Sequence, residues 1–306
     1  MACHPGFVAT GNSPWHIRIS YSFHRHGGCS KTAHEAKTPM PALPFALVAI
    51  VCYLAAGLWQ SLSLARRVAE RPTWVRGVGL IALACHTFIV ALAIIGPHGL
   101  HLGLTQSAAL VGWLVVALLL AASLFKPVLN AGVCVFPLAA ITIVGVVGMP
   151  SRMIESGVSP GLYFHILSSI AAFSFLAIAA VQAALLGFQH HALKRRQTSG
   201  IVQVLPPLTR MEQLLFELIW CGMLLLTAAI VSGFVFVDNL FAQHLAHKTI
   251  LSLLAWLIFA GLLAGHHLLG WRGPKAVRWT LAGVAMLVLA FFGTKFVLEY
   301  IFHYNA

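Results

Sequence analysis

The chain has 306 residues, of which 59% are hydrophobic and only 8% are charged, and its mean hydropathy is +0.89. About a quarter of the residues in soluble domains are charged, so this composition excludes a soluble protein and indicates an integral membrane protein. The net charge of +12 would suggest nucleic-acid binding in a soluble chain. Here the Lys and Arg residues lie at the ends of apolar segments, so we expect the lipid bilayer as partner and no nucleic acid.

Residues 1–39 differ from everything that follows. They contain five histidines and four basic residues, but no apolar run long enough for the core of a signal peptide. Met40 stands directly before the first apolar segment and offers a native start. We therefore predict that residues 1–39 are a disordered or non-native extension and that residues 40–306 form one transmembrane domain.

Eight apolar segments follow Met40, each long enough to cross about 30 Å of hydrocarbon as a helix. They span residues 42–64, 77–95, 106–125, 128–149, 162–188, 213–237, 249–268 and 279–302. Because helices satisfy their own backbone hydrogen bonds in lipid, the sequence predicts an all-α fold. The expected architecture is a polytopic transmembrane bundle of about eight helices.

The basic residues fall mainly in alternate connections. The connections after spans one, three, five and seven hold twelve Lys and Arg residues. The connections after spans two, four and six hold only Arg152 and Lys248. The positive-inside rule therefore predicts that the odd-numbered connections are cytoplasmic and that both chain termini lie outside. The basic connection 189–212 is expected to lie along the cytoplasmic surface. Near it, we expect Arg210 to compensate the charge of Glu217, which lies in the first turn of span six.

The cysteine pattern indicates neither a disulfide framework nor a zinc site, because the six cysteines form no Cys-x-x-Cys pair. Four of them lie inside apolar spans, where we expect them to be buried as small hydrophobic side chains. These are Cys52, Cys85, Cys134 and Cys221.

Histidines in or beside the spans are the candidates for chemistry, because an intramembrane imidazole needs a partner and is a ready ligand of iron. His86 lies near the middle of span two, where a neighbouring helix could equally satisfy it. His165 begins a stripe of small and aromatic residues at the outer end of span five, a face that suits either a flat ligand or close helix packing. His266 and His267 lie near the inner end of span seven, where the alternative is an imidazole reaching water. His303 follows span eight at the outer surface.

Two pairings of these histidines could hold a haem between two imidazoles. A porphyrin that stands upright in the membrane needs both ligands at one depth. His165 and His303 form the outer pair, and His86 with His266 or His267 forms the inner pair. The sequence permits both pairings.

Several motifs occur in a fixed order along residues 40–302. They are Leu-Tyr-Phe-His ending at His165, Leu-Pro-Pro at 205–207, Leu-Ala-Trp-Leu-Ile-Phe-Ala at 254–260, Gly-Trp-Arg-Gly at 270–273, Ala-Gly at 282–283 and Phe-Phe-Gly at 291–293. In this order and spacing they resemble the cytochrome c assembly (CcsA/CcmC/HemX-like) integral membrane family, and in particular its short eight-helix members.

The resemblance implies a multi-pass protein of the bacterial inner membrane that binds or handles haem and assists cytochrome c maturation or haem homeostasis. Its implied cofactor is haem, and its implied partners are cytochrome c maturation or haem-synthesis proteins. His165 matches the first haem-binding histidine of the family. In an ungapped register the second falls near Ala264, two positions before His266, and the third falls within a residue of His303.

The sequence departs from the full synthases of this family in one respect. Those proteins present haem beneath a tryptophan-rich external segment, and the eight tryptophans of this chain do not cluster in any external connection. We therefore do not expect this protein to act as an enzyme that attaches haem to apocytochrome. A different class of function stays open, namely a non-haem membrane scaffold that regulates a partner through the basic connection 189–212. A small-solute transporter is disfavoured by the scarcity of intramembrane acids.

Overall fold

The computed structural model describes residues 42–96, 99–149, 154–155, 160–196, 205–236 and 243–293. Within these ranges eight helices are long and apolar enough to cross a membrane, so the predicted all-α architecture and the number of spans are confirmed. The predicted extension 1–39 and the candidate ligand His303 lie outside the described residues.

The helices follow the predicted apolar segments. They are α1 (Ala42–Leu64), α2 (Pro72–Ile94), α3 (Leu104–Ser123), α4 (Gly132–Gly148), α5 (Pro160–Lys194), α6 (Leu208–Phe236), α7 (Gln243–Leu269) and α8 (Pro274–Val288). A 3-10 turn, Leu129–Ala131, leads into α4, and a π-helical turn, Leu289–Gly293, continues α8. Three short strands, β1 (Ile95–Gly96), β2 (Gly99–His101) and β3 (Ile154–Glu155), pair antiparallel in that order.

The start of α2 differs from the prediction, because the helix begins at Pro72 rather than at 77. Proline suits the first turn of a helix, where its missing N–H group would have no partner in any case. Arg76, which the hydropathy pattern leaves in a connection, lies directly after this first turn, inside the helix. Its Nε donates to Ser123 Oγ at 3.1 Å, and its Nη2 donates to the Ser123 carbonyl. The arginine thereby stabilises the carbonyl end of α3.

Helix α5 is longer than the segment predicted for it. Its 35 residues span about 52 Å, well beyond the roughly 30 Å hydrocarbon core. Because α5 runs to Lys194 and α6 begins at Leu208, the predicted connection 189–212 shortens to 195–207. Gln189 Nε2 donates to the Pro206 carbonyl at 3.1 Å and ties the end of α5 to this connection.

The helices pack as two groups of four. In the first group α1 contacts α2 and α4, and α3 contacts α2 and α4. In the second group α5 contacts α6 and α8, and α7 contacts α6 and α8. The two groups meet mainly where α3 packs on α5.

The prediction that Arg210 compensates the charge of Glu217 is wrong. The carboxylate pairs with Lys126 from the turn between α3 and α4, whereas the Arg210 guanidinium contacts the Gln213 side chain at 3.4 Å. The residue that compensates Glu217 therefore comes from the other helix group, and only the packing of the groups reveals it.

The cysteine prediction holds in part. All four cysteines of the described spans are free thiols. Cys52 and Cys85 are half-buried, but Cys134 and Cys221 are exposed on the outside of the bundle, so the expectation that they are buried is wrong.

Small residues let α5 and α6 approach closely, as is common between membrane helices. A Cβ atom added at Gly222 would lie 2.6 Å from Cγ of the buried Leu176 on α5. We expect Gly222→Val to destabilise the protein by about 1–3 kcal/mol, since overpacking forces neighbouring helices apart. The control is Gly77→Val, because a Cβ atom at Gly77 meets no atom within 4 Å. In detergent, the melting temperature should fall for Gly222→Val and stay unchanged for Gly77→Val. Equal melting temperatures for the two variants would contradict the close packing of α5 on α6 at Gly222.

Candidate functional site

A cavity of about 400 Å³ opens within the second helix group, with walls from α5, α6, α7 and α8. This volume falls in the usual range of small-molecule and cofactor sites, about 300–1,000 Å³. The walls are mostly apolar and aromatic, with a few polar side chains. His165 is one of these polar side chains, which places the first candidate ligand in the wall of a ligand-sized cavity.

The imidazole of His165 is held in one orientation. It is half-buried near the start of α5, and its Nδ1 lies 2.8 Å from the Ala229 carbonyl oxygen of α6. Ser232 Oγ lies 3.4 Å from the same nitrogen. A carbonyl oxygen only accepts hydrogen bonds, so Nδ1 carries the proton. In the neutral ring the lone pair is therefore on Nε2, and histidines that bind metals usually have this arrangement.

A glycine makes room for this histidine. At Gly233, one helical turn from Ala229, an added Cβ atom would lie 3.0 Å from His165 Cε1 and 3.2 Å from Nδ1. Both distances are tighter than ordinary van der Waals contact. The absence of a side chain at this position lets the imidazole approach α6 and reach the backbone carbonyl.

The wall that continues from His165 along α5 is formed by Ser169 and then by the buried Phe173. These residues follow at helical spacing, as the sequence pattern predicts. The Phe173 ring lies 5.5 Å from the ring of Phe291, which also lines the cavity. The cavity therefore presents aromatic surface next to the imidazole.

Helix α7 contributes a cation to the opposite wall. Lys248 lines the cavity with Thr249 and Ser252, and its Nζ lies 5.8 Å from the centre of the Phe291 ring. Lys248 is not among the site residues predicted from the sequence. The signal was available, because this residue is one of only two basic residues in the connections predicted to lie outside. By contrast, nothing in the sequence of α6 identifies Ala229 and Gly233 as partners of His165.

His86 has a different environment, in the interior of the first helix group. It is fully buried, and its Nδ1 lies 3.3 Å from the Tyr53 hydroxyl of α1. Tyr53 in turn stacks on Phe136 of α4. These contacts favour a structural role in which His86 joins neighbouring helices.

His266 lies at the far end of α7 from the cavity. Eighteen residues separate it from Lys248, or about 27 Å of helix. Its ring stacks on Phe216 with centroids 3.6 Å apart, and its Nδ1 lies 2.9 Å from the Trp271 carbonyl. His267 is exposed beside it, and both line a separate open groove with Trp220.

The predicted inner pairing of His86 with His266 is not favoured by this arrangement. His86 lies fourteen residues after the start of α2, about 21 Å along the helix. His266 lies three residues before the end of α7, only about 5 Å along the helix. Both helix ends lie at the basic end of the bundle, so the two imidazoles lie at different depths. The outer pairing of His165 with His303 extends beyond the described residues.

Comparison with known proteins identifies the family. The cytochrome c assembly protein family matches residues 74–302, which is most of the chain and includes all four helices around the cavity. The chain belongs to the cytochrome c assembly protein family. Within this family it is 31% identical over 267 residues to the inner membrane protein YpjD of Escherichia coli, and the alignment covers 84% of this chain and 98% of YpjD. The YpjD proteins of two further E. coli strains match to the same extent.

The chain is also similar to an uncharacterized 28.8 kDa protein of Azospirillum brasilense, to which it is 30% identical over 154 residues. That alignment covers 49% of this chain and 56% of the relative. No solved structure matches the chain at a significant level. The eight spans and the near full-length match to YpjD show that this family member is a multi-pass protein of the inner membrane.

Proposed function

We propose that this protein binds haem in the cavity between α5, α6, α7 and α8, with His165 Nε2 as an axial ligand of the iron. The bound haem would be handled for cytochrome c maturation or haem homeostasis in the inner membrane. The observation that carries the proposal is the hydrogen bond from His165 Nδ1 to the Ala229 carbonyl, because it directs the free lone pair of Nε2 toward metal binding. Membership of the cytochrome c assembly family supports the choice of haem.

The remaining walls suit a porphyrin. Phe173 and Phe291 offer aromatic surface to a flat apolar ring, and Ser169 is small enough to leave space beside it. A haem also carries two carboxylates. Lys248 supplies a cation in the same cavity, and Thr249 and Ser252 supply hydroxyl groups beside it. A haem bound here would supply a redox-active iron with exchangeable axial ligands.

The other candidate histidines have separate roles in this proposal. His303 is proposed as the second axial ligand, from beyond α8. His86 holds α1 and α2 together through Tyr53, and His266 packs on Phe216 at the basic end of the bundle. Among the candidate histidines, His165 is therefore the one that contributes to the haem site from within the described ranges.

A genetic complementation experiment tests the cellular function. Deletion of the gene in its native host should lower covalently bound haem in c-type cytochromes or change total cellular haem. Wild-type protein and His191→Ala should restore the normal level, whereas His165→Ala should not. His191 lies exposed on the same helix, near its other end, and so is a matched control. Normal cytochromes and normal haem in the deletion strain would contradict the proposed function.

The rival scaffold function makes the opposite prediction. If the protein acts through its basic connection, replacement of residues 195–207 by a neutral linker of equal length should abolish complementation, and His165→Ala should complement fully. The two substitutions therefore separate the two functions in one strain background.

A further inference from the structure

A second cavity, unrelated to the haem proposal, lies at the opposite end of the bundle. It measures about 480 Å³ and is bounded by the end of α1, the starts of α2 and α6, and the turn between α3 and α4. Four cationic side chains from three separate parts of the chain line it, together with a single acid, Glu70. The four are Arg71, Arg76, Lys126 and Arg210. We propose that this cavity binds the phosphate group of an anionic phospholipid headgroup.

The described residues balance the charge around the cavity only in part, through Glu70 in its lining and Glu217 beside Lys126. Lys126–Glu217 is the one ion pair among the described residues, so in that part of the chain no carboxylate lies within 4.0 Å of Arg71, Arg76 or Arg210. The Arg76 guanidinium donates hydrogen bonds to Ser123 at the end of α3, which are contacts with neutral groups. Arg71 and Arg210 are exposed at the rim, where both can turn toward a shared anion. Arginine is well suited to this role because its planar guanidinium forms paired hydrogen bonds with phosphate oxygens.

The base of the cavity is polar and ordered. Gln60 is 8% exposed and donates from Nε2 to Asn130 Oδ1 at 2.9 Å, and the neighbouring Ser63 is 4% exposed. No side chain caps the start of α2, so free backbone N–H groups in its first turn add to the positive potential. An apolar acyl chain would suit this base poorly, whereas a phosphate with its oxygens is a matching ligand.

The position of the cavity favours a lipid as the source of the phosphate. Trp59 and Trp74 pack together beside it, with ring centroids 4.9 Å apart, and the Arg71 guanidinium lies 5.9 Å from the Trp59 ring. Tryptophan concentrates at the level of lipid headgroups. Basic pockets between membrane helices at the cytoplasmic surface bind anionic headgroups such as that of cardiolipin. The positive-inside pattern predicts that this end of the bundle faces the cytoplasm.

The test compares two variants that lose equal charge at the same end of the molecule. Arg71→Gln with Arg210→Gln removes two cations from the cavity rim, and Arg195→Gln with Arg196→Gln removes two exposed cations that do not line it. Binding of radiolabelled phosphatidylglycerol to the full chain in neutral detergent is measured at equilibrium. We expect saturable binding that weakens at least tenfold in the first variant, and less than twofold in the second, on the scale of charge-assisted hydrogen bonds.

Competitors distinguish the source of the anion. Unlabelled cardiolipin should compete and phosphatidylcholine should not, if the headgroup charge is recognised. If inorganic phosphate competes at millimolar concentration, the cavity binds phosphate, but its ligand is a soluble phosphate compound rather than a lipid. The proposal would be overturned if neither lipid nor phosphate bound saturably. It would also be overturned if the affinity for phosphatidylglycerol fell equally in the two variants. Melting temperatures measured without added lipid show whether the variants fold normally.

Discussion

Replacing His165 by alanine is expected to remove the axial ligand and with it the Soret band of protein purified from haem-replete cells. The variant should retain its fold, because the His165 ring lies at the cavity wall and is only half-buried. Loss of a strong iron–nitrogen bond should lower the haem content at least tenfold, which corresponds to about 1.4 kcal/mol or more. Absorption spectra and haem content per chain, measured after identical purification, give the comparison.

Imidazole rescue distinguishes a ligand from a structural residue. Free imidazole can enter the space that His165→Ala leaves and bind the iron in place of the missing side chain. We therefore expect the band to return at millimolar imidazole in His165→Ala, and to be unchanged throughout in His191→Ala. A full Soret band in His165→Ala without imidazole would exclude His165 as the ligand. Loss without rescue, accompanied by a lower melting temperature, would indicate a structural role.

The second large effect is expected at Lys248. Lys248→Met removes the cation from the cavity wall at nearly unchanged length, whereas Lys248→Arg keeps it. A charge-assisted hydrogen bond to a carboxylate contributes about 1.5–3 kcal/mol, so Lys248→Met should weaken the binding of protoporphyrin at least tenfold. The dimethyl ester of protoporphyrin has no carboxylate, and its binding should hardly change.

Fluorescence titration of the metal-free porphyrins measures both affinities. Since these porphyrins contain no iron, the result is independent of axial ligation by His165. Equal weakening for the acid and the ester would contradict carboxylate recognition and would indicate instead that Lys248→Met distorts the cavity. The Lys248→Arg variant should retain at least most of the discrimination.

The spans were predictable from sequence because each one is a local run of apolar residues whose length is fixed by the bilayer. The starts of α2 and α6 were not, since Pro72 and Leu208 lie in polar surroundings that hydropathy excludes from a span. The order and spacing of the family motifs predicted the family correctly. Orientation in the membrane stays a prediction, as does the assignment of residues 1–39.

The candidate site was predictable only along α5, from His165 and the stripe of small and aromatic residues that follows it. The sequence identified His165 from its place in a span and in a family motif. Its partner atom is the backbone carbonyl oxygen of Ala229. Every residue has such a carbonyl, so the sequence does not show which one accepts the hydrogen bond. Likewise, Lys126 rather than Arg210 pairs with Glu217 because the two helix groups meet there. Contacts between helices join residues that are distant in the sequence. No local sequence pattern predicts which of them meet, because that depends on how the helices pack.

The presence of haem in the wild-type protein is the most direct test of the account. The protein should be purified in mild detergent from haem-replete cells and from cells starved of haem, and its absorption spectrum and haem content determined. We expect a Soret band that shifts on reduction, with about one haem per chain, only in the first preparation. Protein from haem-replete cells that is intact, folded and free of haem, and that does not take up added haem, would contradict the account.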